Sequence, residues 1–141
     1  MTENKDTIVL GIDYGETNIG LAFGRNRLVS PIKTVSGKNT PLAINEILKV
    51  VIQNKVGKIV MGLPLSYDKK ENSQSKKVRQ FAKLLKIRLK LPLEYVDEYG
   101  STIESLEETI QQHVPKKARR LIDHYSAAIL LRKYYDKSNT I

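Results

Sequence analysis

The chain has 141 residues, 40% of them apolar, with 24 Lys and Arg against 15 Asp and Glu for a formal charge of +9, and no Cys. That length and apolar content suit a single domain over residues 1–141 and exclude a disordered basic tail, while the missing Cys excludes a disulfide framework, a thiolate zinc site and a cysteine nucleophile. No apolar run reaches the roughly 18 residues of a membrane span, so a cytoplasmic protein without membrane association is expected, and the positive charge points toward a polyanionic partner.

In chain order, Thr7-Ile-Val-Leu-Gly-Ile-Asp13 is a short apolar run with polar bounds, the pattern of a buried strand. Tyr14 to Asn18 supplies turn residues, and Ile19 to Phe23 reads as a second strand. After a turn at Arg25-Asn26-Arg27, Leu28 to Val35 reads as a third, which Pro31 confines to a sheet edge or interrupts. Thr40 is the expected N-cap of a helix with Pro41 at its first position, and Ile44, Ile47, Leu48 and Val51 recur at helical spacing up to Gly57.

A fourth strand is expected over Lys58–Gly62 and a loop from Leu63 to Asn72. Then comes a basic helix with Val78, Phe81, Ala82, Leu85 and Leu89 on one face, stopped by Pro92. Leu93 to Asp97 is the fifth strand. Ser101-x-x-Glu104 has the spacing of a capping box and opens an acidic helix that Pro115 ends, and a last helix runs from about Ala118 to Tyr135. The first three strands are joined by turns too short for parallel crossovers, so they are antiparallel neighbours, whereas helices between the later ones make those parallel. The expected class is α/β, with a five-stranded mixed sheet flanked by helices.

The charge is unevenly distributed. Residues 69–90 carry a net +8, Lys116, Lys117, Arg119 and Arg120 add a second basic cluster, and residues 94–108 hold six acids and no base. Three carboxylates stand where a core is expected. Asp13 ends an otherwise apolar strand, where an ionised group needs partners, a metal or a turn role. Asp97 and Glu98 end the fifth strand, and as successive residues they point to opposite faces, so at most one shares a side with Asp13. Asp123 shares a helical face with Ala127, Leu130 and Tyr134, unless it starts the helix as its N-cap. His124 follows it on a different helical face, and His113 offers less. Together the three carboxylates can hold one or two hard divalent cations.

With Asp13-Tyr-Gly-Glu-Thr-Asn-Ile-Gly-Leu-Ala22, Ile59-Val-Met-Gly-Leu-Pro-Leu65, Asp97-Glu98, Thr102 and Ile122-Asp-x-x-Ser-Ala-Ala128 in order, the chain resembles the YqgF (RuvX) family of bacterial nucleases from about residue 8 to 135. The resemblance implies an RNase H-like (RuvC-type) fold and a nuclease dependent on Mg²⁺ or Mn²⁺, with Asp13, Glu98 and Asp123 as its catalytic and metal-binding acids. Such chemistry leaves a 5′-phosphate and a 3′-hydroxyl. The implied substrate is the 5′ end of pre-16S rRNA, with branched DNA of the Holliday-junction type as the alternative.

On this reading Gly15 lets backbone approach a phosphate, Thr102 holds one near a helix N-terminus, and Lys76, Lys77, Arg79 and Lys83 position the strand. The chain departs from the family pattern at Tyr99, where a neutral hydroxyl replaces an arginine fork, at Ser101-Thr102 in place of Thr-Thr, and at Tyr67-Asp-Lys-Lys-Glu71, where the family carries glycine. Two further readings are a non-catalytic nucleic-acid-binding module of the same fold and a sugar-kinase or actin-like phosphotransferase. The latter shares Asp-x-Gly with a following Thr, but its architecture needs two such domains.

Overall fold

The structure, a computed structural model, describes residues 4–97 and 116–138, with side chains of the last segment described from 125 to 137. Five strands form one sheet in the order β3-β2-β1-β4-β5, from β1 (Val9–Asp13), β2 (Asn18–Arg25), β3 (Leu28–Ser36), β4 (Lys58–Leu63) and β5 (Leu93–Asp97). β1–β2 and β2–β3 pair antiparallel and β1–β4 and β4–β5 parallel, as the connection lengths require. Three helices complete the described elements: α1 (Thr40–Gln53), α2 (Ser73–Arg88) and α3 (Lys116–Ser138). Among the described residues no helix is long and apolar enough to cross a membrane. The expected acidic helix between Ser101 and Pro115 lies outside the described residues.

All five strands fall where the apolar runs place them, and β5 has the expected bounds. The third strand does lie at a sheet edge: Leu21 pairs with Lys33 but Ala22 with Pro31, leaving Ile32 as an extra, bulged residue. The helix starts required more than the sequence pattern supplied. Asn39, not Thr40, caps α1, its side-chain oxygen accepting from the Leu42 N–H at 3.1 Å. Pro41 is then the second helical residue, where a missing N–H still costs nothing.

α1 stops at Gln53 rather than near Gly57. Lys55 takes the left-handed conformation (φ 52°), and the N–H groups of Lys55 and Val56 return to Ile52 and Val51 at 3.4 and 3.0 Å. This is a Schellman closure with lysine at the position usually given to glycine. α2 opens on a reciprocal box: the Ser75 N–H donates to the Asn72 side chain at 2.9 Å, and the Asn72 N–H donates to Ser75 Oγ at 2.7 Å.

Strand alternation sends successive side chains to opposite sides of the sheet, so the core has two halves. Leu10, Ile12, Ile19, Leu21, Ile59, Met61 and Leu63 pack beneath α1 and α2, meeting Ile44, Ile47, Phe81 and Leu85. Val9, Ala22, Val60 and Val96 face the other way, against Ala127, Leu130, Leu131, Tyr134 and Tyr135 of α3. α3 lies close on the sheet because glycines face it. A Cβ on Gly11 would stand 2.6 Å from Leu131 Cγ, and one on Gly24 would stand 2.6 Å from the Tyr135 hydroxyl. Leu131 thus sits over Gly11, and Tyr135 over Gly24, the partner of Val9. The helix therefore runs opposite to β1, its N-terminal half directed toward the end of the sheet that carries Asp13.

Candidate active site

The carboxyl ends of the parallel strands form one edge of the sheet, where open α/β sheets place their ligands. Asp13 closes β1 there, paired with Gly20 and half-buried. Ile12 is level with Met61, so Asp13 is level with Gly62 and, one strand further, with Val96; Asp97 pairs with Leu63, one step beyond. Val9, Gly11 and Asp13 share parity, which puts the Asp13 carboxylate on the α3 side. Leu63 belongs to the opposite half of the core, and so does the side of the sheet that Asp97 faces. Of the two acids expected to diverge at the end of β5, Asp97 is therefore the one turned away from Asp13.

The end of β5 is nevertheless tied to α3, because the Lys133 ammonium donates to the Asp97 carbonyl at 2.6 Å. A second tie lies at the other end of the strands, where the Lys58 ammonium donates to the Tyr134 hydroxyl at 2.8 Å and to Glu94 Oε1 at 3.3 Å. Glu98, Tyr99 and Thr102 lie outside the described residues. Asp123 belongs to the N-terminal half of α3, and its side chain, with that of His124, also lies outside them. Among the described residues no three acidic or histidine side chains come together.

The loop that follows Asp13 is gripped from two sides. The Tyr14 ring lies 4.7 Å from that of Phe81 on α2, and the Lys77 ammonium of α2 donates to Glu16. From the β3 side, the Gly37 N–H donates to the Thr17 carbonyl at 2.8 Å. A Cβ on Gly37 would stand 2.4 Å from the Gly15 carbonyl oxygen and 2.9 Å from that of Glu16. At Gly15 the space of a Cβ is filled by the chain's own Asn18 carbonyl at 2.5 Å. Sequence reasoning overlooked Gly37, whose signal is its place two residues after the last core residue of β3.

Because the obstruction at Gly37 is backbone, an alanine there must displace the loop that carries Glu16. Gly37→Ala is expected to destabilise by about 1–3 kcal/mol, read by urea unfolding, and to weaken activity beyond what the lost folded fraction explains.

The basic residues of α2 divide into two groups. Lys77 is engaged by Glu16. Arg79 grips Glu71 with two contacts, Nε to Oε1 at 2.7 Å and Nη2 to Oε2 at 3.3 Å, while its guanidinium lies 4.9 Å from the centre of the Tyr95 ring. The hydrogen bond from Arg79 is the main reason that the Glu71 carboxyl titrates below the usual glutamate range, and the same bond raises the Arg79 guanidinium. A depressed carboxyl adds stability above its unfolded pKa and loses it as pH falls through the folded value, so this pair weakens only in acid. Lys76 and Lys83 stand exposed on the helix.

At the end of the sheet that carries Asp13, on β2 and β3, lies a cleft of about 240 Å³ lined by Thr17, Asn18, Thr34, Ser36 and Lys38. A larger cleft of about 460 Å³ surrounds the β2–β3 turn and includes Asp6, Phe23 and Leu28. That turn is at the opposite end of the sheet from Asp13.

The model of the family described as RuvX, Holliday junction resolvase, matches residues 7–137. A protein of Crocosphaera subtropica named "Putative pre-16S rRNA nuclease" is 33% identical over 133 residues, covering 91% of this chain and 92% of its own. A protein of Dictyoglomus turgidum with the same name is 31% identical over 136 residues, with 91% and 93% covered. Among solved structures, Thermus thermophilus RuvC in complex with a Holliday junction substrate superposes with a TM-score of 0.59 at 16% identity, over 95% of this chain and 97% of that one. The Fowlpox virus resolvase bound to Holliday junction DNA gives 0.61 at 12% identity, over 95% and 100%. At such identities the likeness is one of fold, and the mixed five-stranded sheet between helices is of the RNase H-like, RuvC type.

Proposed function

The chain belongs to the RuvX family, and from that membership we propose that it is a nuclease that hydrolyses phosphodiester bonds of nucleic acid and matures the 5′ end of pre-16S rRNA in the cytoplasm. The observation that carries this reading is the alignment over nine-tenths of its length with proteins named "Putative pre-16S rRNA nuclease". The fold supports it by setting Asp13 at the carboxyl edge of the sheet, half-buried at the end of a buried strand.

The acids proposed for catalysis are Asp13, Glu98 and Asp123. The facing of Asp97 supports Glu98: of the two acids at the end of β5, Asp97 is turned to the side of the sheet away from α3, which leaves Glu98 to act with Asp13. The direction of α3 supports Asp123, three turns before Tyr135 in a helix that runs opposite to β1. Asp13 fits a hard divalent cation in donor type, being an oxygen ligand in a chain without thiols. Mg²⁺ or Mn²⁺ held by the three carboxylates would supply Lewis acidity toward the phosphate and lower the pKa of an attacking water.

The remaining residues hold and orient the strand. Lys76 and Lys83, exposed on α2, would meet backbone phosphates, and Lys77 would do so while fastening the Glu16 loop to α2. Arg79, committed to Glu71 and Tyr95, would act on the strand only by holding the α2 surface in shape. Thr102 is proposed as a further phosphate contact.

The test is cleavage of an end-labelled RNA spanning the 5′ end of 16S rRNA, run beside a four-way DNA junction. Cleavage of the RNA is expected with Mg²⁺ and should vanish when EDTA removes the metal, leaving 5′-phosphate ends where it occurred. Resolution of the junction with the RNA intact would make the protein a DNA resolvase. Binding of both without cleavage of either would make it a binding module.

A further inference from the structure

The cleft formed by Thr17, Asn18, Thr34, Ser36 and Lys38 belongs to no residue set considered so far. Pairing of Asp13 with Gly20, and of Gly20 with Thr34, puts Asp13 and Thr34 in one cross-strand row with a glycine between them. Asn18 and Ser36 pair with each other two rows further on, past Ile19 and Val35, and so share parity with Gly20 and Thr34. Ala22 and Gly24 of that parity face α3. Asn18, Thr34 and Ser36 therefore present their polar groups on the same side of the sheet as the Asp13 carboxylate. Two strand spacings of about 4.8 Å separate Asp13 from Thr34, about 10 Å in all.

The lining residues are able to donate: three carry hydroxyls, one an amide and Lys38 an ammonium. No carboxylate lines it among the described residues, and Lys38 has no ion pair there, whereas Lys33, Lys58, Lys70 and Lys77 are each paired with an acid. The Lys38 backbone N–H donates to Ser36 Oγ at 3.4 Å, which joins two of the residues that line the cleft. No aromatic ring lines it, so it offers nothing on which a base would stack. Hydroxyls, amides and ammonium groups are the usual partners of backbone phosphates.

We propose that this cleft is a subsite for a non-scissile backbone phosphate of the same strand that Asp13 acts on, with Lys38 as its charge and Thr34, Ser36 and Asn18 as its neutral donors. Successive phosphates of a strand are further apart than the axial rise of about 3.4 Å per nucleotide, so a 10 Å offset corresponds to a linkage within about three nucleotides of the cut. The inference rests on the nuclease reading for the identity of the strand. It sets the register of the substrate and makes the β2–β3 half of the edge part of its track.

The experiment uses the labelled RNA above, with one phosphate at a time replaced by a neutral methylphosphonate, against the wild-type protein and Lys38→Gln. One linkage, within about three nucleotides of the cleavage point, should weaken wild-type binding about tenfold, and Lys38→Gln should weaken binding of unmodified RNA by a similar factor. The two losses should not combine, because they remove the same contact. The slope of log affinity against log salt should fall by about 0.7 in Lys38→Gln, the value for one phosphate on a single strand, and Lys38→Arg should restore it. Additive losses at every linkage, or an unchanged slope, overturn the subsite while leaving the nuclease reading in place. RNA bound but never cut overturns the nuclease reading, and the binding cycle still decides the subsite.

Discussion

Replacing Asp13 by asparagine should lower kcat/KM for RNA cleavage at least about a thousandfold, because the several kcal/mol that a metal site supplies to the transition state convert at about 1.4 kcal/mol per factor of ten. The substitution is nearly isosteric, and it removes a charge from a half-buried position at the end of an otherwise buried strand. Folding stability should change by no more than about 1–2 kcal/mol, since the side chain keeps its shape. RNA affinity measured without divalent metal should rise too, as one negative charge fewer faces the phosphates. Three measurements separate this from general damage: initial rates, a thermal melt and a binding isotherm. Cleavage within tenfold of wild type would remove Asp13 from the reaction.

The second large effect is expected at Gly11, in the middle of the central strand. A side chain inside a strand normally improves on glycine, whose backbone freedom costs about 0.5–1 kcal/mol. Here the sign reverses. The Cβ of any residue would come within 2.6 Å of Leu131 Cγ and 3.0 Å of its Cδ1, and Leu131 is fully buried. Gly11→Val should destabilise by about 3 kcal/mol, the upper range of overpacking, or on the order of 10 °C in melting temperature. Leu131→Ala alone should cost about 2–5 kcal/mol through the cavity it leaves.

Combined with Gly11→Ala it should cost less than the sum of the two single changes, since each fills or vacates the other's space. Urea unfolding of the four proteins in that cycle reads the coupling directly, and strict additivity would contradict the close approach of α3 to β1. The same approach keeps the helix that carries Asp123 in place against the strand that carries Asp13. Activity of Gly11→Val should therefore fall even at temperatures where the variant remains folded.

Much of the fold was legible because the strands are short apolar runs with polar bounds, and connection length alone separates antiparallel from parallel neighbours. What escaped was chosen by geometry among residues of similar chemistry. Asn39 and Thr40 are both good caps, and proline tolerates either following position, so composition does not rank them. Lys55 adopts a left-handed conformation that glycine usually signals, forced by the closure of α1 onto Val51 and Ile52.

The candidate site divides along similar lines. Asp13 was visible as an acid closing a hydrophobic strand. That Asp97 faces away from it follows only from its pairing with Leu63, and pairing is not written locally. Arg79 and Lys77 looked equivalent to Lys76 and Lys83 until partners at Glu71 and at Glu16, 61 residues away, distinguished them. The cleft around Lys38 escaped for the same reason: its donors are ordinary strand and turn residues that become a set only when β2 and β3 pair.

The irregular outer strand has a consequence for the molecule in company. An exposed sheet edge is a template on which another chain can add a strand, the first step toward aggregation. At β3, Pro31 offers no N–H and the bulged Ile32 breaks the repeat, so an arriving strand would meet only the short regular stretches on either side. The edge that helps form the Lys38 cleft is thereby kept from joining copies of the protein into a continuous ribbon.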